Sequence, residues 1–417
     1  MRLPRAPMID ERIDERAMPK PQPRGRSPLA LAVLVLVVAS LACKGRERDG
    51  ITSLPDELRD AGPKPTEGPI VVAGPPGTCV LLADRSARCV GAPPLGPSNE
   101  KAIEKLGPLV QIALGDAHAC ALDAAGKVRC WGSNERGQIG DGDPRYHDAP
   151  TLLRDLHDVV ELSLAGDASC ARVRDGHVLC WGNNYGRHLG CERAACATPT
   201  KIEGVEDAAQ IALGTDHACA RAGDGRVTCW GKNEYGQLGT GAATEHEGPS
   251  VVAGVSAIQI AVGDSFSCAR TSDLRVLCWG KNYQEQLGVP PTTTLYSETP
   301  LVIEGARGAV DLAIYGTRSH ACVLTRDGRV RCWGDSEHGE LGNGAAAGRI
   351  AQPSDVVDAS GRALDSIAQI AVGALHTCAR TSLGKVLCWG DDTFGELGRG
   401  ASTTPRFVME PTAVAWW

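Results

Sequence analysis

The side chains with the most obvious capacity for chemistry in this 417-residue sequence are its 17 cysteines. Paired thiols can bind zinc, take part in redox exchange or form structural disulfides. Zinc ligands usually lie roughly two to four residues apart and converge with histidines, and these cysteines do not follow that pattern. Fourteen of them instead form seven pairs with nine intervening residues: Cys79 with Cys89, Cys120 with Cys130, Cys170 with Cys180, Cys219 with Cys229, Cys268 with Cys278, Cys322 with Cys332, and Cys378 with Cys388.

The stretch HACVLTRDGRVRCWG shows which local structure this spacing serves. Its Asp-Gly dipeptide, between alternating apolar residues, predicts a hairpin whose three-residue loop is 326–328, with glycine in the left-handed conformation. In that register Cys322 faces Cys332 in a non-hydrogen-bonded pair, where Cα atoms lie ~4.5 Å apart and a disulfide can form. The third loop residue is glycine in five hairpins. It is Arg85 in one and Leu274 in another, and we expect those two turns to differ.

The hairpins belong to an internal repeat. Trp-Gly follows the second cysteine in six repeats and opens segments such as WGKNEYGQLG, while β-like runs such as VQIALGDAHAC precede the first cysteine. The first repeat is degenerate and has Val90-Gly91 in place of Trp-Gly. A period of roughly 40–56 residues with abundant Gly and Pro suits about four short strands, the content of one propeller blade. The sequence therefore predicts an all-β, seven-bladed β-propeller of seven four-stranded blades, with a hairpin disulfide in each.

The end of the chain offers a way to close the ring. In the tail RFVMEPTAVAWW we expect 407–409 to form a last strand and 413–417 to pair with the degenerate first blade. Such pairing would join the two ends and remove exposed sheet edges.

The repeat unit GxxHxCALxxxGxVxCWGxNxxGQLG resembles the repeat of the regulator of chromosome condensation family, a family of seven-bladed propellers. The resemblance extends from about Pro69 to the C-terminus. Paired cysteines depart from the best-known eukaryotic members and match better the bacterial secreted relatives. The resemblance implies a protein-binding role for loops on one face of the ring. It also raises guanine-nucleotide exchange, the activity of the founding member, although we find no inserted wedge segment.

Residues that recur across the repeats favour architecture over catalysis. A catalytic histidine would occur once, whereas His118, His217, His320 and His376 occupy one repeat position and are interpreted as hydrogen-bonding struts. The repeated Trp is interpreted as an inter-blade packing residue with its indole N–H bonded to a carbonyl.

The unpaired Cys43 lies at the end of an apolar run, 29–41, that follows a basic stretch. The sequence ASLAC there resembles a bacterial lipobox, which predicts cleavage after Ala42 and diacylation of Cys43. A transmembrane anchor is disfavoured because a bilayer needs ~20 apolar residues, and an ordinary secretory signal would leave Cys43 unexplained. We thus assign 1–42 to a signal peptide (with Met18 as an alternative start), 43–69 to a flexible tether and 70–417 to the propeller.

Export supports the disulfide interpretation, because paired thiols become oxidised in secreted proteins. It also allows an eighth bridge between Cys191 and Cys196. Removal of residues 1–42 leaves 36 Lys and Arg against 46 Asp and Glu, a net charge of −10. That balance argues against a nucleic-acid partner.

The search for other chemistry identifies little. The sequence contains no GxxxxGK[ST], HExxH or GxSxG motif, so we predict no enzyme, catalytic residue, cofactor or metal site. Asp141 and Asp143 offer calcium ligands without the full spacing of a calcium loop. The loop VPPTTTLYSETP, with Leu295 and Tyr296, is a candidate binding loop, and a solvated insertion is the alternative.

Together these features predict a lipid-anchored, monomeric interaction scaffold in a bacterial cell envelope, at the outer membrane or cell surface if the host is Gram-negative. Its partner would be an unidentified protein, with membrane contact only through the lipid. An inhibitor of a secreted enzyme is the alternative. A polysaccharide-acting enzyme would need a unique carboxylate cluster in the central channel.

Overall fold

Twenty-seven short strands form seven antiparallel sheets in the computed structural model, which describes residues 68–95, 103, 106–316, 318–345, 348–400 and 405–415. Each sheet uses strands that are consecutive in sequence. The first strands of neighbouring sheets contact one another all round, and the first sheet contacts the seventh, so the ring is closed. The predicted seven-bladed all-β propeller is confirmed.

The strands of the first four blades are β1 (Ile70–Gly74), β2 (Gly77–Leu81) and β3 (Ala87–Gly91); β4 (Leu109–Leu114), β5 (His118–Asp123), β6 (Val128–Gly132) and β7 (His147–Leu152); β8 (Val159–Ala165), β9 (Ala168–Val173), β10 (Val178–Asn183) and β11 (Ala195–Lys201); and β12 (Ala208–Leu213), β13 (His217–Ala222), β14 (Val227–Asn233) and β15 (Thr244–Val251). The last three blades contain β16 (Ala257–Val262), β17 (Phe266–Thr271), β18 (Val276–Lys281) and β19 (Tyr296–Val302); β20 (Ala309–Ile314), β21 (His320–Thr325), β22 (Val330–Ser336) and β23 (Gly348–Asp355); and β24 (Ile367–Val372), β25 (His376–Thr381), β26 (Val386–Asp391) and β27 (Phe407–Ala413), with one 3-10 turn at Glu304–Ala306. Within the described ranges, no helix is long and apolar enough to cross a membrane.

The register predicted for the hairpins is confirmed. Cys322 lies opposite Cys332, and the Gly328 N–H donates to the Thr325 carbonyl across the three-residue loop at 2.9 Å. The same opposition of the two cysteines holds in the other six hairpins.

The disulfides predicted from this register are confirmed in every blade. In each of the seven hairpins the two Cα atoms lie 4.1 Å apart, which is the close approach of a non-hydrogen-bonded pair. The bonded pairs are Cys79 with Cys89, Cys120 with Cys130, Cys170 with Cys180, Cys219 with Cys229, Cys268 with Cys278, Cys322 with Cys332, and Cys378 with Cys388. Cys191 and Cys196 form the eighth disulfide, with Cα atoms 6.0 Å apart.

The expectation that two turns would differ is wrong. Arg85 (φ 67°) and Leu274 (φ 62°) adopt the left-handed conformation that glycine supplies elsewhere. The Leu274 N–H donates to the Thr271 carbonyl at 3.0 Å, as its glycine counterpart does in the sixth blade. Paired strands and a disulfide fix the ends of each loop. The backbone therefore keeps the common turn and accepts the cost of a left-handed side chain, which is about 1 kcal/mol.

One expectation about the ends of the ring is also wrong. The first blade has three strands among its described residues, and residues 96–102 and 104–105, which follow them, lie outside the described residues, so the expected fourth strand of this blade stays a prediction. The C-terminal strand runs to Ala413, which pairs with Leu387 of its own blade, and the Val414 N–H donates to Val386. The tail up to residue 415 thus completes the seventh blade and does not pair with the first. Residues 416 and 417 lie outside the described residues.

Side-chain amides close the ring instead. Gln369 on β24 donates to the carbonyl of Val71 on β1 at 2.9 Å, and its oxygen accepts the Val71 N–H at 3.1 Å. Gln111, Gln210 and Gln259 make the same two-way contact with the next blade. A glutamine amide therefore acts as a substitute peptide group between adjacent inner strands, whose backbone groups would otherwise lack partners.

Apolar contacts between blades form the core. Trp181 from the third blade packs with Cys120, Val128 and Leu162, so each cluster spans two blades. The predicted tryptophan role is confirmed in five of six repeats, in which the indole N–H donates to a carbonyl of the preceding blade: Trp131 to Pro94, Trp181 to Gln138, Trp230 to His188, Trp333 to Gln286 and Trp389 to Glu340.

Candidate protein-binding surface

The two sides of the ring carry different loops. We define the upper face as the side with the loops between the first and second, and between the third and fourth, strands of each blade. The lower face carries the hairpin turns and the connections between blades. In each blade a disulfide joins the second and third strands, so the loops that leave these two strands on either face start from strands that are covalently linked.

The repeated histidines are struts beneath the upper face. Each is buried, and its Nε2 lies within hydrogen-bond distance of a hydroxyl in the next blade: His118 with Ser169 (2.8 Å), His217 with Ser267 (2.9 Å), His320 with Thr377 (3.1 Å) and His376 with Thr78 (2.9 Å). The Thr377 hydroxyl itself donates to the Glu340 carbonyl at 2.9 Å, which leaves it to accept from His320. These contacts confirm a structural role for the four histidines.

The upper loop of the sixth repeat is two residues longer than that of the second repeat, and it reaches across the ring. Tyr315 is buried, and its hydroxyl donates to the Leu114 carbonyl of the second blade at 3.0 Å. The next carbonyl, of Gly316, accepts the N–H of Thr215 in the fourth blade at 3.0 Å. Tyr315 and Gly316 also line a pocket of about 220 Å³, together with the inner strands of the third to sixth blades. The upper loop of the sixth blade is thus bonded to the second and fourth blades.

Carboxylates are few on the inner strands of the described residues. The inner strands there carry two carboxylates, Glu161 in the third blade and Asp311 in the sixth. Glu161 forms a 2.8 Å ion pair with Arg172, and Asp311 accepts a 2.8 Å hydrogen bond from Gln259. Burial raises the pKa of both carboxyls. Both carboxylates are thus engaged in structural contacts.

Exposed aromatic side chains are confined to the upper face among the described residues. We call this set the aromatic face, and its members with their exposed fractions are Phe394 (64%), Tyr185 (60%), Tyr146 (49%), Tyr296 (44%) and Tyr283 (40%). The large exposed hydrophobics of the lower side are aliphatic, and Leu383 at a hairpin turn is the most exposed of them, at 96%. Aromatic enrichment is characteristic of binding surfaces, because rigid rings bury large area at low entropic cost.

The predicted binding loop lies within this face. Tyr296 opens β19 opposite Lys281, and the Leu295 carbonyl accepts the Asn282 N–H at 2.8 Å. The side chains of Leu295 and Tyr296 are both exposed. They lie beside the loop that carries Tyr283, whose ring meets Tyr235 edge-on with centroids 5.6 Å apart. The Lys281 ammonium contacts these two tyrosine rings, at 5.4 Å for Tyr235 and 5.6 Å for Tyr283.

Carboxylates on the lower face are held by donors from their own turns. Asp224 pairs with Arg226 at 2.7 Å and Asp273 with Arg275 at 2.5 Å. Hydrogen bonds from Arg226 lower the pKa of Asp224, and a hydrogen bond from Thr271 lowers that of Asp273. These two turn carboxylates are therefore compensated by neighbouring side chains.

Several upper-face carboxyls are in the opposite situation. Burial raises the pKa of Asp167, Asp216, Asp335 and Glu396, and it raises that of Glu340 to about 6. Neighbouring carboxylates add to the shift, as Asp264 does for Asp216. These carboxyls, whose pKa is raised mainly by burial, therefore lie on the same side of the ring as the exposed aromatic rings.

The remaining predicted sites are placed as follows. Asp141 accepts from Asn134 at 3.0 Å and lies 3.2 Å from His147, while Asp143 pairs with Arg145. Both candidate calcium ligands are thus bonded to other side chains, and no group of three or more potential metal ligands occurs in the described part of the chain. The predicted lipidation site, Cys43, lies outside the described residues.

Two features of this site were missed at the sequence level. Tyr315 was detectable, because LAIYGTRSHAC in the sixth repeat is two residues longer than the equivalent IALGDAHAC in the second repeat. The bridging glutamines were detectable as a repeated Gln-Ile-Ala. In contrast, the segregation of aromatic residues to one face depends on the assignment of each loop to a side of the ring.

Comparison with known proteins supports this architecture. The RCC1-like domain model matches residues 90–364, and the regulator of chromosome condensation (RCC1) repeat matches residues 367–396. The chain is similar to the human E3 ubiquitin-protein ligase HERC2, with 37% identity over 92 residues, which is 22% of this chain and 2% of that protein. It is also similar to the ultraviolet-B receptor UVR8 of Arabidopsis thaliana, with 34% identity over 112 residues, 27% of this chain and 24% of the receptor. The chain thus spans only a small part of the curated relatives it matches.

Solved structures agree on the fold. Yeast RCC1 (Prp20), in a crystal structure with Kap60, superposes with a TM-score of 0.65 at 22% identity, over 79% of this chain and 78% of that chain. Human WBSCR16 superposes with a TM-score of 0.63 at 22% identity, over 74% of this chain and 81% of that chain. Because the RCC1-like domain model covers most of its length, this chain belongs to the RCC1-like β-propeller family.

Proposed function

We propose that this chain is an extracytoplasmic interaction scaffold, anchored through a lipid on Cys43, that binds a protein partner through its aromatic face. The observation that carries the binding proposal is the segregation of exposed rings. Tyr283, Tyr296 and Phe394 project from loops on one side of the ring, while the other side exposes paired charges. Exposed aromatic groups on a rigid frame lose little entropy when they bind.

The disulfides support the extracytoplasmic part of the proposal. Eight bridges involve every cysteine except Cys43, and such a framework persists in oxidising compartments. Within the blades, each bridge fixes a hairpin that leads into an upper-face loop. Export and disulfide formation would then together produce a preorganised binding surface.

Affinity capture from the native cell envelope tests the binding proposal. The variant Tyr283→Ala combined with Leu295→Ser should lose a partner that the wild-type protein retains. The matched control, Leu383→Ser, removes an exposed apolar side chain on the lower face and should retain it. Loss of the partner in the control alone, or equal retention by all three proteins, would refute binding through the aromatic face. If the captured partner is a secreted enzyme and binding abolishes its activity, the chain acts as an enzyme inhibitor.

Metabolic labelling with an alkyne fatty acid tests the anchor. The wild-type protein should carry the label and fractionate with membranes, and Cys43→Ser should lose both properties. An unlabelled wild-type protein would contradict lipidation without affecting the binding test.

A further inference from the structure

We propose that the Cys191–Cys196 disulfide is a redox-sensitive switch, which a dithiol reductant opens in the folded protein and which thereby releases a loop on the upper face. This inference goes beyond the proposed binding function and is tested without a partner. The bond closes the loop between β10 and β11, and Cys196 lies in β11 itself. The seven other disulfides instead join paired strands within a blade.

Cys191 differs from the other bonded cysteines in its exposure. The hairpin cysteines are at most 8% exposed, and Cys196 is 4% exposed, whereas Cys191 is only partly buried. The Cys191 Sγ lies 3.6 Å from the carbonyl of Arg193, an exposed residue, while the Cys196 Sγ lies 3.7 Å from the carbonyl of the buried Leu189. Thiol–disulfide exchange requires that a thiolate reach one of the two sulfurs. Among the bonds of the described residues, this one is therefore the most accessible to an external thiol.

The reaction balances with a dithiol as the reductant. A thiolate of the reductant attacks the Cys191 Sγ and forms a mixed disulfide with it, and the bond to Cys196 breaks. Cys196 leaves as a thiolate and takes up a proton. The second thiol of the reductant then displaces Cys191, which also ends as a thiol, while the reductant is oxidised to its disulfide.

The fold does not need this bond, because a hydrogen-bonded asparagine already holds the loop. The Asn184 side chain donates to the carbonyls of Cys191 at 2.7 Å and Arg193 at 2.9 Å. Asn233 in the fourth blade and Asn282 in the fifth donate to carbonyls of the equivalent loops, at 3.0 Å and 2.9 Å, and those loops contain no cysteine. Opening of the bond should therefore loosen one loop and leave the seven blades folded.

The loop lies beside the part of the aromatic face that Tyr185 occupies. The Asn184 N–H donates to the Ala194 carbonyl of the loop at 2.8 Å, and Tyr185 follows Asn184 directly in the chain. The Arg136 guanidinium lies 5.6 Å from the centroid of the Tyr185 ring. When the bond is open, residues 191–196 are held by hydrogen bonds alone and gain conformational freedom. Because a preorganised surface binds at lower entropic cost, the redox state sets how rigidly this part of the aromatic face is presented.

Differential alkylation of the folded protein tests selective opening. The protein is treated with a low concentration of dithiothreitol, blocked with iodoacetamide and analysed by peptide mass spectrometry. Cys191 and Cys196 should be labelled at least about tenfold faster than any hairpin cysteine, with an unchanged circular dichroism spectrum. Labelling of the hairpin cysteines at the same rate, or labelling of Cys191 and Cys196 only after unfolding in guanidinium, would overturn the inference.

Limited trypsin digestion tests the release of the loop. Arg193 lies exposed between the two cysteines, and cleavage after it should become at least about fivefold faster on reduction. The matched control is Arg145, whose side chain is 83% exposed in the equivalent loop of the second blade, where cleavage should not change. The variant Cys191→Ala with Cys196→Ala should be cleaved at the faster rate with or without reductant. Equal cleavage after Arg193 in the oxidised protein and this variant would refute a switch. Neither measurement involves a partner, so such a result would leave the proposed binding function intact.

Discussion

Acid should destabilise this propeller through its buried histidine struts, and His320 offers the sharpest test. Its Nε2 lies 3.1 Å from Thr377 in the next blade, and burial lowers its pKa to about 3. The unfolded chain would titrate near pH 6.5. Between these values the unfolded state binds one more proton than the native state, so stability falls as pH falls below about 6.5.

The expected size follows from linkage. Between pH 7 and pH 5, one histidine held neutral in the native state lowers the free energy of unfolding by about 2 kcal/mol. The substitution His320→Phe provides a control that cannot take up a proton. The fifth blade already has a phenylalanine, the fully buried Phe266, at this repeat position, so the site accepts a ring of that size. In His320→Phe the Thr377 hydroxyl still donates to the Glu340 carbonyl. The substitution should therefore remove a proton-linked group without leaving that hydroxyl unpaired.

Guanidinium unfolding at pH 7 and pH 5, with disulfides intact, measures the effect. The wild-type protein should lose about 2 kcal/mol more stability between the two pH values than His320→Phe. The carboxyl of Glu340, whose pKa burial raises to about 6, acts in the opposite direction, because the native state takes up its proton first. That contribution is present in both proteins and cancels in the difference. An equal loss in the two proteins would refute the assignment of His320 as a buried neutral strut.

Three further changes have defined outcomes. Leu274→Gly should raise the free energy of unfolding by about 1 kcal/mol, because it relieves a left-handed side chain; a lower melting temperature would contradict the turn geometry. Ser336→Asn should also raise the melting temperature, because the Ser336 hydroxyl is buried with no hydrogen-bond partner among the described residues. The equivalent residue of the second blade, Asn134, donates to oxygens of its loop. Calorimetry that shows no increase in melting temperature would disprove this. Replacement of Cys322 and Cys332 by alanine should lower stability by about 2–3 kcal/mol at most, and unchanged denaturation midpoints would show that this bridge adds nothing to the hairpin.

The fold was predictable because repetition makes each local signal recur. The register of one hairpin, Cys322 opposite Cys332, could be tested against six other copies with the same spacing. The error at Leu274 has a physical cause. The turn preference of a residue is a local property of the sequence. Here the two paired strands and the Cys268–Cys278 disulfide fix both ends of the loop, and they determine the backbone conformation of Leu274.

The candidate site was only partly predictable. Leu295 and Tyr296 were identified because their loop departs from the repeat, and they lie within the aromatic face. Phe394 was overlooked because it lies in the segment WGDDTFGELG, which follows the repeat pattern and gives no sign of a binding residue. In the structure its backbone N–H donates to Glu396. Its significance arises from exposure and from the side of the ring on which it lies, and both depend on the assembled ring rather than on local sequence.

Site-specific photo-crosslinking in living cells tests the central claim most directly. A benzophenone amino acid placed at Tyr283 or Phe394 on the aromatic face, and at Leu383 on the lower face, would report which side contacts a partner. We predict a discrete crosslinked protein from the two upper positions and none from Leu383. A discrete product from Leu383 together with none from Tyr283 and Phe394 would contradict binding through the aromatic face.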